Sequence, residues 1–203
     1  MINYQKVLEN TLSQIESNSG QRPSLLLHCC CAPCSSYVFE YLAPHFDLTS
    51  FFYNLNISSA AEYDLRLSEL RRLIGEMSSL QKINLIEGDY SPNAFLKTSY
   101  GLESAAEGSL RCFKCYRLRL LRTAEVAQEL NFDYFSTTLT ISPYKNAEKI
   151  NEIGRELSSE FGVKYLFSDF KKNNGYKRSI ELSKKFNLYR QNYCGCEFSK
   201  KDN

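Results

Sequence analysis

Eight cysteines form three groups along a chain of 203 residues, and they are the side chains best suited to chemistry. The first group lies in "SLLLHCCCAPC", where four cysteines fall within six positions directly after a short apolar run. Thiolates bind soft metal ions and take part in thiol–disulfide exchange. Because the chain has only two histidines, His28 and His45, sulfur dominates any metal site it contains.

The second group lies in "SLRCFKCYRLRL", near the start of a predicted helix. Cys112 and Cys115 stand at positions i and i+3, so their sulfurs leave the same helix face and can hold one ligand between them. The partial positive charge of a helix start favours thiolates over thiols, and Arg111, Lys114 and Arg117 add to it.

The third group lies in "NYCGCEFS", where Cys194 and Cys196 flank Gly195. A disulfide between them closes a very small ring, which glycine tolerates because it has no Cβ atom. Strained disulfides of this kind are easily reduced. The spacing therefore favours a redox pair over a structural bridge.

Composition limits the class of protein. With 43% hydrophobic residues, the chain can bury a core without disulfide staples. The segment 1–23 predicts an amphipathic helix, with neither the apolar stretch of a signal peptide nor the length of a membrane span. We therefore expect a cytoplasmic protein without membrane contact, in which clustered cysteines indicate metal binding or redox chemistry.

Apolar runs alternate with helical periodicity along the chain. Strands are predicted at 24–29, 47–53, 82–86, 133–136 and 163–167, and helices at 35–43, 60–78, 111–130, 145–160 and 177–186. This alternation predicts an α/β fold with a three-layer, mostly parallel, Rossmann-like sheet and helices on both faces. Without a repeat or linker, residues 1–203 are expected to form a single domain.

The cysteines also have less specific interpretations. Cys29 shares a strand face with Leu27, and we expect it to be a small buried hydrophobic residue. The other cysteines of the first two groups fit a structural zinc site in a nucleic-acid-binding module, or a metal-free thiol oxidoreductase. An iron–sulfur cluster, which uses four thiolates, is a further alternative and leaves thiols over for catalysis.

Five segments together resemble the cobalamin-independent epoxyqueuosine reductases, a family of tRNA-modifying metalloenzymes. They are "LLLHCCCAPC", "FFYNLNI", "RCFKCYRLRL", "FSTTLTISPYKN" and "LYRQNYCGCEFS", and the match spans nearly the whole chain. The resemblance implies reduction of the epoxide of epoxyqueuosine at the tRNA wobble position, which gives queuosine. It also implies a [4Fe–4S] cluster, an adjacent mononuclear iron and an electron donor that the sequence does not identify.

The resemblance assigns roles to individual cysteines. It implies that the cluster ligands are Cys30, Cys31, Cys112 and Cys115. It implies that Cys194 and Cys196 are the redox-active pair. Cys34 stands where the family can also carry aspartate, another metal ligand, and is therefore assigned to the mononuclear iron.

A tRNA substrate requires a basic surface. Residues 168–203 hold nine Lys or Arg against four Asp or Glu, which leaves the rest of the chain net negative. We expect Lys177, Arg178 and Arg190 to bind RNA; a solvated helix face is the alternative. Lys145, after the fourth strand, is also expected to bind RNA, unless Ser142 simply caps a helix that begins at Pro143.

Two further segments bear on the function. An ATP-dependent tRNA sulfur-transfer enzyme would share the α/β layout but needs a Gly- and Ser-rich phosphate loop after the first strand, where this chain has cysteines and Pro33. That class is therefore disfavoured. The long connection before the Cys112 helix is expected to be partly helical around 91–98 and mobile around 101–109.

Overall fold

The computed structural model describes residues 2–18, 20–78 and 82–200. Five strands are found there: β1 (Ser24–Cys29), β2 (Asp47–Phe52), β3 (Asn84–Glu87), β4 (Tyr134–Thr137) and β5 (Lys164–Tyr165). The α-helices of the same residues are α1 (Tyr4–Ser17), α2 (Ala32–Leu42), α3 (Ala60–Met77), α4 (Pro92–Ser99), α5 (Leu110–Glu129), α6 (Ala147–Phe161) and α7 (Gly175–Lys185). The predicted α/β class is confirmed.

The strands form one parallel sheet in the order β3-β2-β1-β4-β5. The chain moves outward from β1 in one direction, then returns to pair β4 with the other side of β1. Parallel sheets of this kind bind ligands beyond the carboxyl ends of the strands where the order reverses. Here that position is the crevice between β1 and β4.

Both faces of the sheet are covered by helices. Leu25, Leu27 and Cys29 of β1 pack in one core with residues of α1, α2 and α3. Leu26 points to the opposite face and packs in a second core with residues of α5 and α6. This alternation follows from the two-residue period of a strand, and it gives the three layers that the sequence predicts.

Cys29 is the small buried residue that the sequence predicts. It has no exposed surface, belongs to the core beneath α2, and its Sγ donates to the Leu27 carbonyl at 3.4 Å. Burial raises the pKa of its thiol to about 12, so the thiol stays neutral. Cys29 is therefore set apart from the other cysteines of its group.

Buried polar contacts fix the crevice between β1 and β4. His28 Nε2 lies 2.9 Å from the Tyr53 carbonyl, which only accepts, so this nitrogen carries the proton. Its Nδ1 then accepts from Thr137 Oγ1 at 2.8 Å, and Thr137 Oγ1 itself accepts from the Leu139 amide. A single imidazole thus joins the ends of β1, β2 and β4.

Several helix bounds differ from the predictions. α2 begins at Ala32 rather than residue 35, because Pro33 suits the first turn of a helix. α6 begins at Ala147, and its N-cap is Asn146, whose side chain accepts from the Lys149 amide. Ser142 instead accepts from the Tyr144 amide at 3.3 Å in the turn before it, so the alternative in which Ser142 caps a helix that begins at Pro143 is wrong.

The connection before α5 contains α4, which confirms the helix expected around 91–98. The turns that follow are tied down by Arg111, whose Nη1 donates to the carbonyls of Leu102, Glu103 and Ala105. The mobility expected around 101–109 stays a prediction. Within the described ranges, no helix combines the length and the apolar character that crossing a bilayer requires.

Candidate active site

Three cysteines converge at the end of β1. The Sγ atoms of Cys30, Cys31 and Cys34 all lie within 4.8 Å of one another, and Cys30 and Cys31 are 3.8 Å apart. Cys30 follows the strand, and α2 turns back so that Cys34 faces it. This set, the Cys30 triad, lies in the crevice where the strand order reverses.

The triad is polarised by its neighbours. The thiols of Cys31 and Cys34 donate to Cys30 and hold the pKa of Cys30 well below its usual range, against the opposing effect of burial. Thr138 Oγ1, 3.5 Å from the Cys30 Sγ, supports the same thiolate. Hydrogen bonding to Cys30 correspondingly raises the pKa of Cys34, so Cys30 is the thiolate of the set.

The other four site cysteines line a small cavity of about 20 Å³, which is separate from the larger cavity beside the Cys30 triad. They are Cys112 and Cys115 of α5, and Cys194 and Cys196. Cys115 and Cys196 pack with Leu55 and Phe95 in a small apolar cluster. Burial raises the pKa of Cys115 to about 12 and that of Cys196 to about 11.

The segment that carries Cys194 and Cys196 is held by its backbone carbonyls. The Cys194 carbonyl accepts from Arg66 Nη1 at 3.1 Å and from Asn56 Nδ2 at 3.2 Å. The Gly195 carbonyl accepts from the Ser58 amide at 3.1 Å. The Cys194 Sγ makes a weak contact with Asn56 Nδ2 at 3.9 Å, so backbone oxygens carry most of the docking of this segment.

Gly195 is required by this docking. Its φ is +104°, and a Cβ atom placed there would lie 2.8 Å from Ile57 Cγ1. The sequence spacing explains a glycine here only by the small ring, whereas the structure adds a close approach to the segment after β2. Both reasons exclude a side chain at this position.

The larger cavity measures about 290 Å³ and opens beside the triad. Cys30, Cys34 and Cys194 contribute to its wall, together with Arg119 and Lys145. Cys194, Arg119 and Lys145 also line the smaller cavity. The two cysteine sets therefore face a common wall.

Two cations in that wall keep their charge. Burial lowers the pKa of Lys145, but the electrostatic effect of Cys194, Cys30 and Cys34 outweighs burial and raises the pKa above its usual range. Burial opposes the charge of Arg119 as well, and the electrostatic effect of Cys115, Cys194 and Cys30 outweighs it, so the pKa of Arg119 is also raised. The cavity is thus suited to anionic groups.

The residues expected to bind RNA are placed differently. Arg190 lines the larger cavity and donates to Ser183 Oγ at 3.1 Å. Arg178 forms a two-bonded ion pair with Glu40 and a further one with Glu181, which offset its charge. Lys177 lies exposed on α7 and is absent from the described walls of both cavities.

The donor set fits a metal–thiolate centre. Four ligands around a metal at about 2.3 Å lie about 3.8 Å apart, which is the Cys30–Cys31 separation, so this pair has the spacing of two ligands of one tetrahedral metal ion. An iron–sulfur cluster also takes soft thiolate ligands, and the buried cations beside both cysteine sets complement its negative charge. The side chains present therefore suit either kind of centre.

Sequence reasoning missed several residues of the site. Arg119 is one turn after Cys115 on α5, a spacing that places both on one helix face and was a usable signal. Asn54 and Asn56 alternate just beyond β2, where ligands bind. Gln191, whose Nε2 lies 2.9 Å from the Cys31 Sγ, had no local signal, because its partner is 160 positions away.

Sequence comparison with known proteins finds a matching family model and several relatives. The family model described as epoxyqueuosine reductase QueH matches residues 25–202. The chain is 43% identical to the epoxyqueuosine reductase QueH of Streptococcus pyogenes and 44% identical to that of Staphylococcus epidermidis, covering 98% of this chain and 79% and 84% of theirs. That of Thermotoga maritima is 37% identical, over 87% of this chain and 90% of its own.

A solved structure supports the fold. The U34-tRNA thiolase NcsA from Methanococcus maripaludis, determined with its [4Fe–4S] cluster, matches with a TM-score of 0.51 at 10% identity, over 96% of this chain and 69% of its own. At that identity the likeness concerns the fold alone. The family match and the relatives cover most of the chain, and the chain therefore belongs to the epoxyqueuosine reductase QueH family.

Proposed function

We propose that this protein reduces the epoxide of epoxyqueuosine in tRNA to the alkene of queuosine. The observation that carries the proposal is the meeting of two cysteine sets at one cationic wall, in a chain of the QueH family. Removing the epoxide oxygen as water requires two electrons and two protons. Two thiols release two electrons and two protons when they form a disulfide, so the reaction balances.

Cys194 and Cys196 are the proposed source of the two electrons. Cys194 lines both cavities, and its segment is docked mainly through backbone carbonyls rather than through the sulfurs. Oxidation gives a disulfide across Gly195. An external electron donor of dithiol or reduced-cofactor type must then restore the pair before the next turnover.

We propose that the remaining site cysteines hold metal. Cys30, Cys31, Cys112 and Cys115 would ligate a [4Fe–4S] cluster, and Cys34 a mononuclear iron. When bound, these groups supply single-electron transfer and Lewis acidity. The thiolate character of Cys30 supports its role as a ligand, because the thiolate is the form that binds metal.

The cations of the wall would orient the substrate. Lys145 keeps its proton and lines both cavities, so its Nζ can donate a hydrogen bond to an oxygen of the inserted nucleotide. This position supports the RNA-binding role proposed for Lys145, as a contact with the modified base region. Arg190, on the larger cavity, and Lys177, on α7, are proposed contacts of the surrounding anticodon loop, with Arg178 beside them.

A cytoplasmic location belongs to the same proposal. The substrate class is tRNA, and the described cysteines are all free thiols. A reducing compartment keeps such thiols available for metal and for turnover.

The test is anaerobic reconstitution with iron and sulfide, followed by incubation with epoxyqueuosine-containing tRNA and a chemical reductant. Nucleoside mass spectrometry should show conversion to queuosine. The matched control is Cys29→Ala, which removes a core thiol outside the site and should retain activity. Binding of zinc without iron, or iron loading without queuosine formation, would contradict the proposal.

A further inference from the structure

Arg119 is a buried cation without a carboxylate partner in the described chain. It is 1% exposed, and no Asp or Glu among the described residues lies within ion-pair distance of it. Its Nε and Nη2 are buried without any hydrogen-bond partner there. A buried charge left in this state is costly, so a counter-charge is expected from a bound group.

The third nitrogen of the guanidinium is held by two carboxamides. Arg119 Nη1 donates to Asn54 Oδ1 at 2.9 Å and to Asn56 Oδ1 at 3.0 Å. These bonds leave Nε and Nη2 as the free donors, on a residue that lines both cavities. The free part of Arg119 is therefore suited to an acceptor within the site.

Each carboxamide also holds one cysteine segment. Asn54 Nδ2 donates to the Cys29 carbonyl at 2.9 Å, next to the Cys30 triad. Asn56 Nδ2 donates to the Cys194 carbonyl at 3.2 Å, next to the second cysteine set. The two segments, more than a hundred residues apart in sequence, are thus tied to a single guanidinium.

We propose that Arg119 is a positioning residue that fixes the two cysteine sets relative to each other and supplies the counter-charge for an anionic metal–thiolate centre between them. The inference rests on the proposed function only in taking that centre to be an iron–sulfur cluster. The charge of the site supports it: Arg119, Lys145 and Arg66 line the larger cavity, and the carboxylate in its wall, Glu107, is exposed. Of these cations, Arg66 has its own partner in Glu62.

The experiment compares Arg119→Gln with Arg119→Lys in the full chain, reconstituted anaerobically with iron and sulfide. Arg119→Gln removes the charge and should release iron to a chelator at least tenfold faster than the wild type. Its cluster should also be harder to reduce, because the added electron is no longer stabilised by the cation. We expect a fall in midpoint potential of about 59 mV, which is a tenfold change for one electron.

Arg119→Lys keeps the charge and should restore the midpoint potential. The matched control is Arg122→Gln, which removes the same charge from the same helix at a surface site paired with Glu125 and Glu129. It should leave iron release and potential unchanged. A cluster in Arg119→Gln with wild-type release rate and potential would overturn the inference.

A second variant tests the same inference if Arg119→Gln fails to fold. Asn56→Asp places a carboxylate against the guanidinium and offsets its charge while Arg119 remains. The same fall in potential is expected, and an unchanged potential would also overturn the inference. If iron release and potential depend on Arg119 but the wild type forms no queuosine, the proposed function alone fails. If the wild type forms queuosine and iron release and potential do not depend on Arg119, this inference alone fails.

Discussion

Cys194 and Cys196 differ from the other site cysteines, because their loop is docked mainly by backbone oxygens, with only a weak contact of 3.9 Å from Asn56 Nδ2 to the Cys194 sulfur. If they are the redox pair, changing both to Ser removes the source of two electrons but no ligand of the cluster. Activity should fall below detection, while iron content and the visible spectrum stay near those of the wild type. Iron analysis, absorption spectra and the queuosine assay on one preparation check this prediction.

The contrasting result has a clear meaning. Loss of iron and colour together with activity would make Cys194 or Cys196 a ligand, and the proposed ligand set of Cys30, Cys31, Cys112 and Cys115 would need revision. Changing Cys112 alone to Ser provides the comparison, since it should lose both iron and activity.

Gly195 carries a second prediction at this scale. Alanine there must adopt a φ of +104° and place its Cβ 2.8 Å from Ile57. We expect Gly195→Ala to lower the free energy of unfolding by about 1 to 3 kcal/mol and to reduce activity further than that loss explains. Chemical denaturation and the queuosine assay are the measurements.

Gly75 is the matched control for Gly195. It lies within α3, and nothing is within 4 Å of a Cβ added there. Gly75→Ala should raise stability by roughly 0.5 to 1 kcal/mol, since alanine favours a helix. Equal effects at both positions would show that the left-handed conformation of Gly195 is unimportant.

The chemistry of the individual cysteines was predictable from the sequence, but which of them lie together in space was not. Their types and spacings indicated metal and redox chemistry, and the face shared by Cys29 and Leu27 predicted burial. The meeting of Cys30 and Cys34 depends on where α2 begins, three residues earlier than the periodicity indicates. Arg119 could not be identified as unpaired from sequence, because that property depends on every neighbour it has in space.

At the level of elements, the carboxylate of Asp133 holds together the beginnings of two neighbouring strands, β1 and β4. Asp133 Oδ2 accepts from the Ser24 amide and hydroxyl, both at 2.8 Å, and so joins the beginnings of β1 and β4. These bonds, the amide bond first, hold the pKa of Asp133 below its usual range. We expect Asp133→Asn to lower the free energy of unfolding by about 0.5 to 1 kcal/mol at pH 7, a modest value because the site is exposed.

The pH dependence of this effect has a definite sign. A lowered pKa in the folded state gives stability that is fully present above the unfolded pKa of about 3.9 and is lost as pH falls through the folded pKa. The difference between wild type and Asp133→Asn should therefore vanish in strong acid. Urea unfolding at a series of pH values checks it; a gap that widens toward low pH would contradict it.

Arg111 organises the connection before α5. Its Nη1 donates to three carbonyls there, and its guanidinium lies 4.9 Å from the Phe198 ring centroid. Arg111→Met should release the segment 101–109 and speed amide exchange and limited proteolysis there by about tenfold. Exchange in the strands should not change, and Arg117→Met, on the exposed face of α5, is the control.

The elements were largely predictable, and their precise ends were not. β1 and β2 were found at or within one residue of the predicted ranges, because continuous apolar runs mark buried strands. β5 is reduced to Lys164–Tyr165 at the edge of the sheet, where pairing on one side alone stabilises it. The 3₁₀ turn Thr138–Ile141 was not anticipated, since its Thr-rich sequence resembles a strand.

For the molecule as a whole, the charge of the C-terminal segment predicts tRNA binding. Neutralising Lys177, Arg178 and Arg190 together should weaken tRNA affinity and flatten its salt dependence, while the cluster spectrum stays constant. Arg178→Gln alone should have little effect, because Glu40 and Glu181 already offset that charge. Filter binding or fluorescence anisotropy at several salt concentrations provides the measurement.

The control removes equal charge from the opposite face of the sheet. Arg117, Arg122 and Lys149 are ion-paired surface residues of α5 and α6, which pack on that face. Their neutralisation should change tRNA affinity much less. Equal losses in both triple variants would indicate attraction by net charge alone.

The parallel α/β architecture followed from the alternation of elements, whereas the strand order did not. β4 pairs with β1 through contacts 109 positions apart, and no local pattern encodes such a distance. The crevice that holds the Cys30 triad is a product of that pairing. The location of the site at one edge of the sheet was therefore predictable, but the residues that surround it were not.

The central position of β1 also affects when the crevice can form during synthesis of the chain. On the ribosome, at about 5 to 20 residues per second, β4 is synthesised roughly 5 to 20 s after β1, given the 109 positions between Ser24 and Asp133. Until then the crevice cannot close, and long-range pairing of this kind is slow to form afterwards. During that interval Cys30 also lacks its contact with Thr138, which follows β4 in the chain. Oxidative damage to this protein should therefore occur mainly in the nascent chain, and the yield of active enzyme should depend on how reducing the cell is during synthesis.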